Sequence, residues 1–107
     1  MQETRFAISI ARGDGRVVVT LDGELDMSTL PAFMAGIADA LGPPAADVLI
    51  DTRQLSYADS SAIRGFLQAK AAADAHGSRM GLANVSGALE RTLSMAGIRE
   101  MFTTCDT

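Results

Sequence analysis

The spacing of apolar residues along this chain switches from two to three or four and back several times, and that succession restricts the folds open to it. Phe6, Ile8 and Ile10 alternate with Ala7, Ser9 and Ala11, the turn residues Arg12-Gly13-Asp14-Gly15 follow, and Val17 to Leu21 is again strand-like. The pattern predicts a β-hairpin. Beyond Gly23, the residues Leu30, Phe33, Met34, Ile37, Ala38 and Leu41 recur every three or four positions and predict an amphipathic helix. Ser28 or Thr29 can cap its start, Pro31 fits in its first turn, and Gly42-Pro43-Pro44 stops it.

Val48-Leu49-Ile50, apolar on consecutive positions between Asp47 and Asp51, predicts a central strand covered on both faces. A second helix is expected from Asp59-Ser60-Ser61 through Ile63, Phe66 and Leu67 to His76-Gly77, then a strand at Met80 to Ala83. Val85, Leu89, Leu93 and Ala96 predict a third helix, with Ser86 near its cap and Gly97 past its end, and Met101-Phe102 a last extended piece. Parallel pairing is required wherever a helix intervenes, so the expected fold is α/β: a small mixed sheet with an N-terminal hairpin, then parallel βα units with helices packed against it. With no repeat, linker or charge block, the chain reads as one domain over residues 1–107.

Composition narrows the chemistry. Cys105 and His76 are the sole residues of their kinds, too few for a structural zinc site or an internal disulfide, so no metal or cofactor is expected. With 9 Lys+Arg against 13 Asp+Glu, a net charge of −4 and no basic run, the chain lacks the means for a sequence-independent grip on nucleic acid. The opening MQETRFAISI does not resemble a signal peptide and no stretch is long enough to span a bilayer, so a soluble, cytoplasmic protein is expected.

Candidate reactive residues are few. His76 sits at an expected helix end, where the dipole explains it. Cys105 is close to the terminus and reads as an incidental thiol. Arg12 to Gly15 lacks phosphate-loop spacing, and Glu24 and Asp26 lie two apart in a strand-to-helix loop with no evident partner. The segment Leu55 to Ile63 says more. Asp59 or Ser60 suits an N-cap, and a serine in the first turn lies beside unpaired backbone N–H groups, where a phosphate can be tolerated without unfolding.

Three blocks, LDGELDMSTL at Leu21 to Leu30, VLIDTRQLSYADSSAIRGFL at Val48 to Leu67 and MGLANVSGALERTLSMAGI at Met80 to Ile98, resemble in order those of the STAS domain, and more narrowly the bacterial anti-sigma factor antagonists. The resemblance implies that Ser61 is a phosphoacceptor, with Ser60 the runner-up. It also implies that Gly23, Glu24, Asp26, Ser28, Asp59 and Ser60 belong to the face that meets a partner; Ile63 and Arg64 are placed in the same surface at the exposed helix start, although periodicity alone could bury Ile63. Ala62 replaces the family's usual Gly, placing a methyl where that partner approaches, and Gly87 stands where Pro is frequent.

The function so implied is not enzymatic. An unphosphorylated antagonist docks on an anti-sigma factor that is itself a serine kinase and releases a sigma factor; phosphorylation at Ser61 ends the contact and a serine phosphatase restores it. With Asp26 and Asp59 nearby, one phosphate brings about −1.5 to −2 further charge into that face. The alternative is a STAS subunit serving as a structural or scaffold part of a larger assembly, a lipid-transport ABC system or a stress-signalling complex, without a phospho-switch.

Overall fold

The computed structural model describes residues 5–43 and 46–105, so Pro44 and most of the charged start of the chain lie outside the described residues. β1 (Phe6–Gly13) turns through Asp14-Gly15 into β2 (Arg16–Leu25), its antiparallel neighbour. Three helix-and-strand steps follow: α1 (Leu30–Ala40) to β3 (Asp47–Ala58), α2 (Ser60–Ala75) to β4 (Met80–Ala83), and α3 (Gly87–Met95) to β5 (Thr103–Cys105). The five strands stand in sequence order, β2 to β5 all parallel. The expected mixed α/β sheet is observed.

Strand order equal to chain order has a steric consequence. Right-handed crossovers that all step the same way lay every helix on one side of the sheet. Val17, Val19 and Leu21 of β2, Val48 and Ile50 of β3 and Leu82 of β4 are buried on that side with Phe33, Phe66 and Leu93 of the helices. The expectation that the β3 run is covered on both faces is therefore incorrect: Leu49 points to the open side and is half-buried. Consecutive apolar residues here mark a strand whose second face is merely shaded by its neighbours.

β3 also runs further than its apolar core suggests. Residues 51–55 continue the strand, and Gln54, Leu55, Tyr57 and Ala58 pair with Asp22 to Leu25 across two register shifts. Thr52, 1% exposed, donates its hydroxyl to the Ala83 carbonyl at 2.9 Å and so ties β3 to β4 without leaving a buried polar atom unpaired. At the C-terminus the extended piece starts later than expected. Arg99–Met101 form a 3₁₀ turn, Phe102 is buried, and Thr103–Cys105 is the strand.

Helix ends follow side-chain chemistry. Asp59 accepts from the Ser61 amide at 2.8 Å and Ser86 from the Leu89 amide at 3.1 Å, so α2 and α3 begin as their sequences predict. Gly77 and Gly97 take φ of 72° and 74° just past the ends of α2 and α3, and His76 Nδ1 donates to the Ala72 carbonyl at 2.9 Å, a capping role. α1 differs. Thr29 is its N-cap position but makes no side-chain cap bond; Asp26 instead fixes the loop before the helix, accepting from the Ser28 and Thr29 amides at 2.9 and 3.2 Å.

The core is centred on Phe66. Its ring meets those of Phe33 at 5.7 Å and Phe102 at 6.3 Å, both edge-to-face, joining α1, α2 and the C-terminal turn. We expect Phe66→Ala to lower unfolding stability by about 3–5 kcal/mol in a urea titration, because the cavity lies where three elements converge and none can collapse alone.

Candidate functional site

The parallel pairing of β2 with β3 ends at Leu25 opposite Ala58, and the next residue on each strand is an aspartate. Asp26 and Asp59, 33 positions apart in sequence, thus emerge from the carboxyl ends of neighbouring strands, where loops of parallel sheets commonly gather function. Ser56 strengthens the junction by donating its hydroxyl to the Gly23 carbonyl at 3.0 Å.

Glu24 lies in β2 rather than in a loop, and neither it nor Asp26 lacks a partner. Arg5 precedes β1, and the register that sets Phe6 opposite Gly23 brings it onto both acids. Its Nη2 meets Glu24 Oε1 at 3.0 Å and also the Asp26 carboxylate, while its Nη1 donates to Ser28 Oγ at 3.1 Å. The Arg5 backbone takes part as well, its carbonyl accepting from the Glu24 amide at 2.7 Å. Gly23 makes this approach possible: at φ 107° its Cα faces that carbonyl, and a Cβ would sit 2.1 Å from the oxygen.

Electrostatics follow this geometry. The Ser28 hydroxyl, donating to the Asp26 carboxylate at 2.7 Å, holds Asp26 below the usual carboxylate range, aided by the Ser28 and Thr29 amides and by Arg5. Arg5 is in turn raised above its ordinary value, first by its hydrogen bond to Glu24 and then by the charge of Asp26. The acidic loop is a network of two carboxylates around one cation, and it keeps a net negative charge.

At the start of α2 the two serines part company. Ser60 is exposed, on the face that carries exposed Arg64 four positions on; Ser61 is 7% exposed, on the inner face with buried Gly65. The Ser61 hydroxyl makes no hydrogen bond. Because no side-chain nitrogen or oxygen sealed from solvent lacks a partner among the described residues, that oxygen must reach solvent through the small opening left to it. Ile63 is half-buried against the core rather than fully exposed at the helix start. Ala62 is 0% exposed, so its methyl packs inward and leaves the approach surface unchanged.

The structure thus gathers Gly23, Glu24, Asp26 and Ser28 around Arg5, and Asp59, Ser60 and Ser61 on the adjoining strand end. Sequence reasoning missed Arg5, whose role becomes readable once the hairpin register is known. It also missed two large exposed apolar side chains at this end, Met27 at 73% and Tyr57 at 51%, the latter paired in register with Glu24. A cavity of about 140 Å³ lies behind Tyr57, between Leu55 and Ser86, Leu89 and Thr92 of α3. Among the described residues no cluster of His, Cys, Asp or Glu could hold a metal ion, and no helix is long and apolar enough to cross a membrane.

A carboxyl held below its ordinary range in the fold contributes order that is complete above that range and is lost as pH falls through the lowered value. We expect the Ser28 amide to stay protected from exchange at neutral pH and to lose protection only in acid below the usual carboxylate range. In Asp26→Ala that protection is expected to be absent at neutral pH as well, measured by NMR amide exchange, while the Thr29 amide keeps the backbone carbonyl of residue 26 as an acceptor.

No curated protein matches the chain. Among solved structures, an anti-sigma factor antagonist from Mycobacterium paratuberculosis superposes with a TM-score of 0.84 at 20% identity, over 95% of this chain and 86% of that one. The Bacillus anti-sigma factor antagonist SpoIIAA in its unphosphorylated form gives 0.78 at 24% identity, over 94% and 88%. A sulfate transporter family protein from Wolinella succinogenes gives 0.74 at 15%, over 85% and 76%. At these identities the likeness is one of fold. The family model described as Mlab, STAS domain matches residues 8–103, nearly the full span of the sheet, and the chain belongs to the STAS domain family.

Proposed function

We propose that this protein is an anti-sigma factor antagonist controlled by phosphorylation of Ser61. It has no catalytic role in this scheme. Unmodified, it docks through the Gly23 to Ser28 segment and the start of α2 on an anti-sigma factor with serine kinase activity, so that a sigma factor is released in the cytoplasm. The kinase then transfers a phosphoryl group to Ser61 and a serine phosphatase removes it; neither nucleic acid nor membrane insertion takes part.

The carrying observation is the Ser61 hydroxyl in the first turn of α2, without a hydrogen-bond partner among the described residues and reached through a small opening, next to an Asp59 cap already bonded to the Ser61 amide. A phosphate there adds about −1.5 to −2 charge. Arg5, the cation of the adjoining loop, is already engaged by Glu24 and Asp26, so of the positive groups among the described residues at this end Arg64 alone stands exposed on α2 beside the new charge. Docking weakens with no refolding.

Incubation with ATP and a candidate kinase, followed by intact-mass measurement, is expected to add one phosphate to the native chain and to Ser60→Ala, and none to Ser61→Ala. In a pull-down, Ser61→Ala should retain the kinase and Ser61→Asp should release it. Equal retention of both variants would sink the switch.

A second reading, a STAS subunit held permanently in a larger assembly such as a lipid-transport ABC system or a stress-signalling complex, is favoured by the description of the matching family model and by the fold shared with a transporter family protein. No phosphate on Ser61 with any candidate kinase, together with co-purification in a stable complex, would select it.

A further inference from the structure

The sheet has two unlike edges. β5 is three residues long, and so short an edge offers little to pair with. β1 is eight residues long, contains no proline or lysine, and keeps an unbroken register with β2 over all eight pairs. Among the described strands it borders only β2, so half its backbone N–H and C=O groups face outward. Natural edges of this length are usually guarded by a bulge, a proline or an inward-pointing charge; β1 has no bulge or proline, and its one inward-pointing charge, Arg12, stands at its far end, held by Asp39 of α1, which leaves Ala7 to Ala11 without a guard.

Its sequence is also self-complementary. Ala7-Ile8-Ser9-Ile10-Ala11 reads the same in both directions, so an antiparallel copy centred on Ser9 sets Ile8 opposite Ile10 and Ala7 opposite Ala11. Ile8 and Ile10 pair with Leu21 and Val19 on the core side, yet each is only half-buried. α1 lies close above them, for a Cβ on Gly36 would stand 2.4 Å from Ile8 Cδ1, so the uncovered flank of these isoleucines faces outward along the sheet. Ala7, Ser9 and Ala11 on the open face are exposed and too small to obstruct a neighbour.

Charge is compatible with the pairing. Arg12 falls opposite Phe6 of the second copy, with its guanidinium held back against α1 by the Asp39 carbonyl at 2.6 Å. The two Arg12 residues lie six positions apart along the strands, roughly 20 Å, beyond the screening length at physiological salt.

We propose that β1 is an interface through which two copies of this chain pair, related by a twofold axis at Ser9, into a continuous ten-stranded sheet. Each copy presents the same strand to the other, and the isoleucine row continues the apolar layer across the junction. Antiparallel pairing sends the Asp26 and Asp59 ends of the two copies to opposite ends of the sheet. The pairing does not depend on the phosphorylation scheme and stands whether or not Ser61 is modified.

Sedimentation velocity of the native chain over rising concentration is expected to move from one chain mass towards two. Ser9→Lys, which sets like charges across the axis on an exposed face, is expected to return it to one with an unchanged circular dichroism spectrum. Cross-linking reads the register directly. In a Cys105→Ser background, Ser9→Cys is expected to oxidise to a disulfide-linked dimer, whereas Ala7→Cys, roughly 13 Å from its own copy in this register, should not. A native chain that stays at one mass throughout, a dimer indifferent to Ser9→Lys, or equal cross-linking by Ser9→Cys and Ala7→Cys would overturn the proposal.

Discussion

The parallel pairing of β2 with β3 is the contact on which the rest of the structure depends. It is the longest ladder to join two sequence blocks, running from Arg16 opposite Asp47 to Leu25 opposite Ala58. It sets the direction in which α1 and α2 must cross, and hence the single side on which the core forms. Its two register shifts fall near the carboxyl end, between Thr20 and Asp22 and between Gly23 and Glu24. Irregularities of this kind bend a strand and re-aim its side chains. Here they precede the residues that bond to Arg5 and Ser56.

The electrostatic character of the loop changes once Arg5 is in place. From sequence, Glu24 and Asp26 are two carboxylates without a counter-charge, and the face looks overloaded with negative charge. In the fold one guanidinium bridges both acids and Ser28, and Asp26 divides its oxygens between Arg5 and the start of α1. Exposed ion pairs of this type contribute little stability singly. What this network contributes is shape: it fixes the loop between β2 and α1 in one conformation, with Met27 standing outward at its apex.

Elements whose apolar period is long and whose ends carry local signals were legible in the sequence. α2 runs from an aspartate cap to a glycine stop, and β4 occupies the residues its apolar run marks, because both are decided by neighbours in the chain. The misreadings share another cause. The continuation of β3 through Arg53 and Gln54, the open second face at Leu49 and the bridging by Arg5 all depend on which strand lies alongside, which no local window contains. The cap of α1 failed in a similar way: Thr29 stands at the N-cap, but its hydroxyl is taken across the loop, donating to the Glu24 carbonyl and accepting from the Asp26 amide.

Ser60 and Ser61 are adjacent and chemically identical, yet roughly 100° of helical rotation separates them, enough to turn one outward and the other against Gly65. An enzyme that binds the unfolded peptide has only the flanking residues to tell them apart, Asp59 directly before Ser60 and Ala62 directly after Ser61. One that binds the folded domain also meets the two hydroxyls at unlike exposure, so the choice between them then carries information about the helix that sets their phase.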